Sequence, residues 1–404
     1  MEAKRRIHRR EFLEGVTRTV GSLSVGGVLA GAPRITAQTA AAPAKKRDYA
    51  GPNVIIVRFG GGVRRRETIV EKHTYCPYLV HELFPRGTVF PLMEIDAGQG
   101  VETGHGQGTL HILTGKYNAF KDVNTRFLGE RFEPEVPTLF EYFRKAYNVP
   151  ESQTLIINGE DRIDEEFYSF SNHHLFGVEH RSNVLSLYRF KVYLLRQQIR
   201  EGKWSGDELE KKRKELEEMV TLDLRASEPG AQSPELARFW KGWRRYYGET
   251  GLVNPRGDRV LTEIALRAMQ ELQPRLMMVN YNDCDYVHWG FMSHYTRGIQ
   301  IMDEGIRQIV AAVESNERYR DNTIIAVVPD CGRDSNRFVA VPCQHHFGSR
   351  SAHEIFAFLF GPGVEKNTRV DKKVDQIQVA ATLGALLGVE TEFTAGPVLE
   401  EAVS

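Results

Sequence analysis

Carboxylate, imidazole and thiol side chains gather in a few short stretches of this chain. Asp283, Cys284, Asp285 and His288 fall within NDCDYVHWG, with His294 just beyond. Pro329-Asp330-Cys331-Gly332-Arg333-Asp334 sets a carboxylate beside a thiol, and His345 and His346 open QHHFGSRSAHE, with His353 near its end. His105 stands in a stretch rich in glycine, Gly104 to Gly108. Carboxylate, imidazole and thiolate are the donors that zinc prefers. A second kind of chemistry is offered by Gly60-Gly61-Gly62 followed by Arg64-Arg65-Arg66. Backbone N–H groups and guanidinium forks in that order suit a phosphate or sulfate; a flexible turn with a solvated basic run is the alternative.

For such residues to meet, the fold must bring distant stretches to one place. Asn53-Val54-Ile55-Ile56-Val57-Arg58 reads as a buried strand feeding the glycine loop, and the segments 154–158, 275–280, 323–328 and 355–360 read as further strands. Helical patterns lie between them, at 138–143, 259–272, 295–316 and 374–387. Apolar strands alternating with helices predict an α/β fold with a mostly parallel central sheet covered on both faces. In such a sheet ligands gather at the carboxyl ends of the strands, which is where the candidate donors stand. Gly104 to Gly115 is expected as a glycine-rich loop running into a short apolar segment from Thr109.

Between about 165 and 256 the composition changes. Two helices are expected at 186–200 and 207–219, the second dense in Glu and Lys, and Phe239, Trp240, Trp243, Tyr246 and Tyr247 interleave with Arg and Lys. The expectation is an inserted helical cap over residues 165–256, with 45–164 and 257–404 forming the core. Lys and Arg number 53 against 53 Asp and Glu, which argues against a nucleic-acid partner. Four dispersed cysteines without a CxxC pair indicate neither a zinc ribbon nor a disulfide framework.

The N-terminus reads as a targeting segment. His8-Arg9-Arg10-Glu11-Phe12-Leu13-Glu14 resembles the twin-arginine export consensus. Glycines at 21, 26, 27 and 31 weaken any helix there, and the stretch from Val16 to Ala32 falls short of the ~20 apolar residues of a membrane span. A leader over residues 1–44, cleaved among small residues from Ala37 to Ala44, is expected, without a stable membrane anchor. The protein is then periplasmic or otherwise exported, with the twin-arginine translocase as its partner during export.

From Pro52 to Leu387 the chain resembles the alkaline phosphatase superfamily, which includes sulfatases and phosphodiesterases. Pro52 to Val57 resembles its first strand, His105 to Lys116 its nucleophile loop and helix, Asn322 to Gly332 the strand ending in its Asp-His-Gly motif, and Phe360 to Val364 with Asp375 to Gly388 its closing turn and helix. The resemblance implies a metal-dependent hydrolase of phosphate or sulfate esters, with Asp285, His288, Asp330, Cys331 and His346 as metal ligands and His105 in the nucleophile's place. Arg64 and Arg65 are the expected anion contacts for a small-molecule ester or other anionic ligand. The chain departs from the pattern at Gly60, where a metal-binding Asp is usual, at His105 and at Cys331. Those changes lead to an altered site with one divalent metal, zinc, rather than two. His105 as nucleophile, attack by activated water, and a non-catalytic binding relative all stay open at this point, as does the oligomeric state.

Overall fold

The first apolar run is buried at every position, Asn53 to Arg58, because both faces of its strand are covered. Ile55 and Val57 join one apolar cluster with Met277, Val279, Ile325 and Val327. Val54 and Ile56 join another with Leu276, Met278, Ile324 and Ala326. Successive side chains of a strand point to opposite faces, so a strand buried in the middle of a sheet needs an unbroken apolar sequence. The computed structural model describes residues 46–98, 100–122, 132–159, 175–221, 233–251, 257–334, 343–345 and 348–403. The expected leader and His346 lie outside these residues.

Strands run in chain order as β1 (Asn53–Arg58), β2 (Gly87–Phe90), β3 (Met93–Glu94), β4 (Phe120–Asp122), β5 (Phe132–Pro134), β6 (Thr154–Ile157), β7 (Asn183–Leu185), β8 (Leu276–Asn280), β9 (Thr323–Val328), β10 (Ala357–Phe360), β11 (Thr368–Arg369) and β12 (Val374–Asp375). Eight of them form one sheet in the order β11-β2-β10-β9-β1-β8-β6-β7. From β9 through β1, β8 and β6 to β7 every pairing is parallel. Strand β10 runs antiparallel to both β9 and β2. The segment leaving β9 therefore returns on the same edge of the sheet, as an antiparallel connection permits without a crossover helix. That returning segment carries Asp330, Cys331 and His345.

The helices are α1 (Arg65–Thr68), α2 (His105–Thr114), α3 (Leu139–Ala146), α4 (Leu187–Arg200), α5 (Gly206–Thr221), α6 (Pro234–Tyr247), α7 (Asp258–Glu271), α8 (Met292–Ser315), α9 (Arg350–His353) and α10 (Gln378–Leu387). Helices α7 and α8 cover one face of the sheet through Val260, Ile264, Ile299, Met302 and Ile306. Helices α2, α3 and α10 cover the other through Ile112, Phe140, Phe143, Val379 and Leu383. Within 165–256, β7 extends the sheet beside β6 before α4, α5 and α6 follow. Phe239, Trp240 and Trp243 are packed in the core, and Tyr246 is exposed.

Helix α2 begins at His105, four residues ahead of the expected apolar segment at Thr109. Interior glycines oppose helix formation, and tertiary packing overrides them: a Cβ at Gly108 would lie 2.1 Å from the Asp330 carbonyl oxygen. The missing side chain lets the helix sit directly on the exit of β9.

Candidate functional site

The site is assembled at the carboxyl ends of β1, β8 and β9. Strand β1 ends on Arg58 and passes into Gly61 and Gly62, whose φ values of +84° and +72° are left-handed and suit glycine. Their N–H groups face the Asp330 carboxylate, at 3.4 Å from Gly61 and 3.3 Å from Gly62. Cys331 N–H donates to Asp330 Oδ1 at 2.8 Å, and Arg58 Nη1 lies 3.5 Å from Oδ2. The glycine run thus surrounds an internal carboxylate. After β8, a single 3-10 turn (Asp283–Val287) presents Asp285, and His288 follows at its end.

His105, at the first position of α2, stands between two acids. Its Nδ1 is 2.7 Å from Asp330 Oδ2 and its Nε2 is 2.7 Å from Asp285 Oδ1. His288 Nε2 meets the same Asp285 oxygen at 2.7 Å, and His345 Nε2 approaches it to 3.6 Å. Cys331 Sγ lies 3.8 Å from His105 Nδ1, and the His105 and His345 rings are 4.3 Å apart. Burial opposes a charge on His105, but the Asp285 and Asp330 carboxylates outweigh it and raise its pKa well above the usual value. Burial likewise opposes ionisation of Asp285 and Asp330. Their histidine neighbours, with Arg58 helping at Asp330, nonetheless hold both below the usual carboxylate range. Burial and Asp330 push the Cys331 thiol up to about 11.

Two trios of donor atoms have all members within 4.8 Å: His105 with Cys331 and His345, and Asp285 with His288 and His345. Imidazole, carboxylate and sulfur donors at this spacing fit one divalent ion of the zinc type. His345 Nδ1 is 2.7 Å from the Thr103 carbonyl oxygen, which fixes the proton on Nδ1 and leaves Nε2 toward the donors. The trio of Asp285, His288 and His345 is partly open, whereas His105, Cys331 and His345 are buried.

Of the residues read from sequence, Asp285, His288, Asp330, Cys331 and His105 come together, and His346 lies outside the described residues. Arg64 is bound to Glu67 at 2.7 and 2.9 Å and donates its backbone N–H to Tyr295 Oη. Arg65 reaches the carbonyl oxygens of Ile355 and Met93 at 2.7 and 2.6 Å. Asp283, in the 3-10 turn after β8, faces the start of α7, where its Oδ1 accepts from Asp258 N–H at 3.2 Å. His353 meets the Ile95 carbonyl oxygen at 3.0 Å. Thr103 and Thr109, the hydroxyls nearest His105 in sequence, donate to the carbonyl oxygens of His345 and His105. His345, a candidate donor in the sequence beside His346, joins the site. Arg58, a strand end in the sequence, was missed, although a charge closing an apolar run was its signal.

No protein-family model matches the chain, and no curated protein matches it. Solved structures do. A protein of the alkaline phosphatase superfamily from Vibrio parahaemolyticus aligns over 89% of this chain and 71% of its own, with a TM-score of 0.54 and 13% identity. The wild-type alkaline phosphatase PafA aligns over 88% of this chain and 99% of its own, with a TM-score of 0.53 and 10% identity. A 2-O GAG sulfatase aligns over 87% and 74%, with a TM-score of 0.51 and 13% identity. The chain has the alkaline-phosphatase-like α/β fold. At these identities the likeness is one of fold, and what the chain does has to be argued from its site.

Proposed function

We propose that the chain is an exported, metal-dependent hydrolase of phosphate or sulfate esters that works with one divalent ion. The observation that carries this reading is the convergence of His105, Asp285, His288 and His345 beside Asp330 at the carboxyl edge of the sheet. Asp285, His288 and His345 would hold the ion, zinc by their donor chemistry. When bound, it supplies Lewis acidity toward an anionic ester oxygen. Asp330 fixes the His105 ring through Nδ1, so that Nε2 is the nitrogen that holds or moves a proton. We assign His105 this proton-transfer role, because both its nitrogens are engaged by carboxylates and neither is aimed as a nucleophile. Residues 165–256 are assigned as a helical cap setting substrate choice. This is supported by α4, which starts where β7 ends, at the edge of the sheet that bears the site.

A second reading, a binding relative without turnover, is favoured by one observation. The hydroxyls of Thr103 and Thr109 are turned to backbone carbonyls, so neither is presented as a nucleophile. One experiment separates the two: zinc content by elemental analysis, with hydrolysis of aryl phosphate, aryl sulfate and an aryl phosphodiester measured on the same zinc-loaded protein. The hydrolase reading expects turnover of at least one ester, lost in His105→Gln with zinc retained, and loss of both zinc and turnover in His288→Ala. Zinc without turnover leaves the binding reading, and no zinc at any loading removes the metal.

Export is proposed from the Arg9-Arg10 motif. Among the described residues no helix is long and apolar enough to cross a membrane. Replacing Arg9 and Arg10 by Lys should strand the protein in the cytoplasm; undiminished periplasmic protein on fractionation would refute the twin-arginine route.

A further inference from the structure

The two donor trios share one residue, His345. His345 has its Nδ1 committed to Thr103, so its Nε2 serves either trio but not both at once. A second ion would have to be held on the buried side by His105, Cys331 and Asp330. Among the described residues that side already contains a cation. Arg58 is 1% exposed, and its guanidinium lies 3.5 Å from Asp330 Oδ2, donates to Thr109 Oγ1 at 2.7 Å and to the Tyr281 carbonyl oxygen at 3.2 Å.

The place of this group is set by Gly60. A Cβ built there would meet the Tyr281 carbonyl oxygen at 2.0 Å, Arg58 Nε at 3.0 Å and Arg58 Nη2 at 3.2 Å. The guanidinium and the end of β8 therefore fill the space that any side chain at position 60 would enter. Asp330 in turn receives N–H groups from Gly61, Gly62 and Cys331 as well as His105. A carboxylate so surrounded, beside a guanidinium that stays charged at any working pH, has little left to offer a dication.

We propose that Arg58 is the resident cation of the buried half of the site. It takes the place that a second metal ion would hold, neutralises Asp330, and through Asp330 positions His105. One exchangeable ion remains, at Asp285, His288 and His345. The inference rests on the single-ion reading above, and its test can fail independently of that reading.

The test is zinc titration of metal-free wild type, Arg58→Met, Arg58→Lys and the double variant Arg58→Met with Asp330→Asn, with bound zinc counted by elemental analysis and melting followed in parallel. Wild type should saturate at one zinc. Arg58→Met should take up a second, weaker zinc and recover melting temperature as it does so, while Arg58→Lys, which keeps a positive charge, should return to one. The double variant should also hold one, because the second ion needs the Asp330 carboxylate. If Arg58→Met is unfolded without metal, zinc beyond one equivalent should restore its melting transition, and failure to do so overturns the proposal. Two zinc ions in wild type, one in a folded Arg58→Met, or two in the double variant also overturn it. If wild type binds none while Arg58→Met binds one that depends on Asp330, the role of Arg58 stands and the single-ion reading falls.

Discussion

His105 and His111 sit toward opposite ends of one helix, both buried, with their pKa values pushed in opposite directions. His105 opens α2 between the Asp285 and Asp330 carboxylates, and its pKa is raised well above the usual value. His111, near the other end, is packed edge-on against Tyr117 with its ring centre 4.7 Å away. Burial pushes its pKa down to about 3, offset in part by the nearby Gln376 amide. The helix dipole works against this arrangement, since the positive end of α2 bears the charged histidine. Two ionised carboxylates within hydrogen-bonding distance outweigh both the dipole and desolvation. Burial alone therefore does not decide the state of a histidine here; the partners delivered by other strands do.

The sharpest way to break the contrast is to remove the acid that makes it. Asp330 neutralises Arg58, receives His105 Nδ1 and accepts backbone N–H groups from Gly61, Gly62 and Cys331. Breaking a buried ion pair by deleting one partner costs about 3–5 kcal/mol, because the other charge is left without compensation. Asp330→Ala should lose about that much on chemical denaturation of the metal-free protein. A loss below about 1 kcal/mol, the size of an exposed pair, would mean that Arg58 and His105 are balanced by other groups.

Much of the sheet was legible in the sequence, because a strand buried on both faces needs an apolar run, and β1, β8 and β9 carry one at 54–57, 276–279 and 324–328. The ends of elements were less so. The strand expected at 355–360 begins at Ala357, and the helix expected from 374 begins at Gln378 after Val374 and Asp375 pair with β3. Asp285, His288 and Asp330 were visible because ligand-type residues stood directly after apolar runs. Arg58 was not, since its meaning depends on Thr109, Tyr281 and Asp330, which reach it only through the fold. Gly60 shows the same limit: the sequence marks a missing carboxylate, while the reason, the Tyr281 carbonyl from beyond β8 and the Arg58 guanidinium turned into that space, appears only in the fold. That His345 reaches Asp285 likewise needs the path of the returning segment, which residue order does not provide.

The other end of α2 yields a smaller effect that can be read from pH alone. A histidine whose folded pKa lies near 3, below an unfolded value of about 6.5, binds its proton more readily in the unfolded chain. Its contribution to stability is then complete above about pH 6.5 and is lost as pH falls from there toward 3. Each unit of that window is worth roughly 1.4 kcal/mol, so about 2 kcal/mol should go between pH 7 and pH 5. His111→Leu removes the titrating ring and keeps an apolar side chain against Tyr117, so the variant should lose less stability than wild type across the same interval, by about that amount. Denaturation midpoints at the two pH values, for metal-free wild type and variant, give the difference directly, and the histidines around Asp285 contribute equally to both proteins. If the two proteins lose the same stability between pH 7 and pH 5, His111 takes up its proton in the folded protein as readily as in the unfolded chain. The packing against Tyr117 would then have to accommodate a cation, and the contrast between the two ends of the helix would disappear.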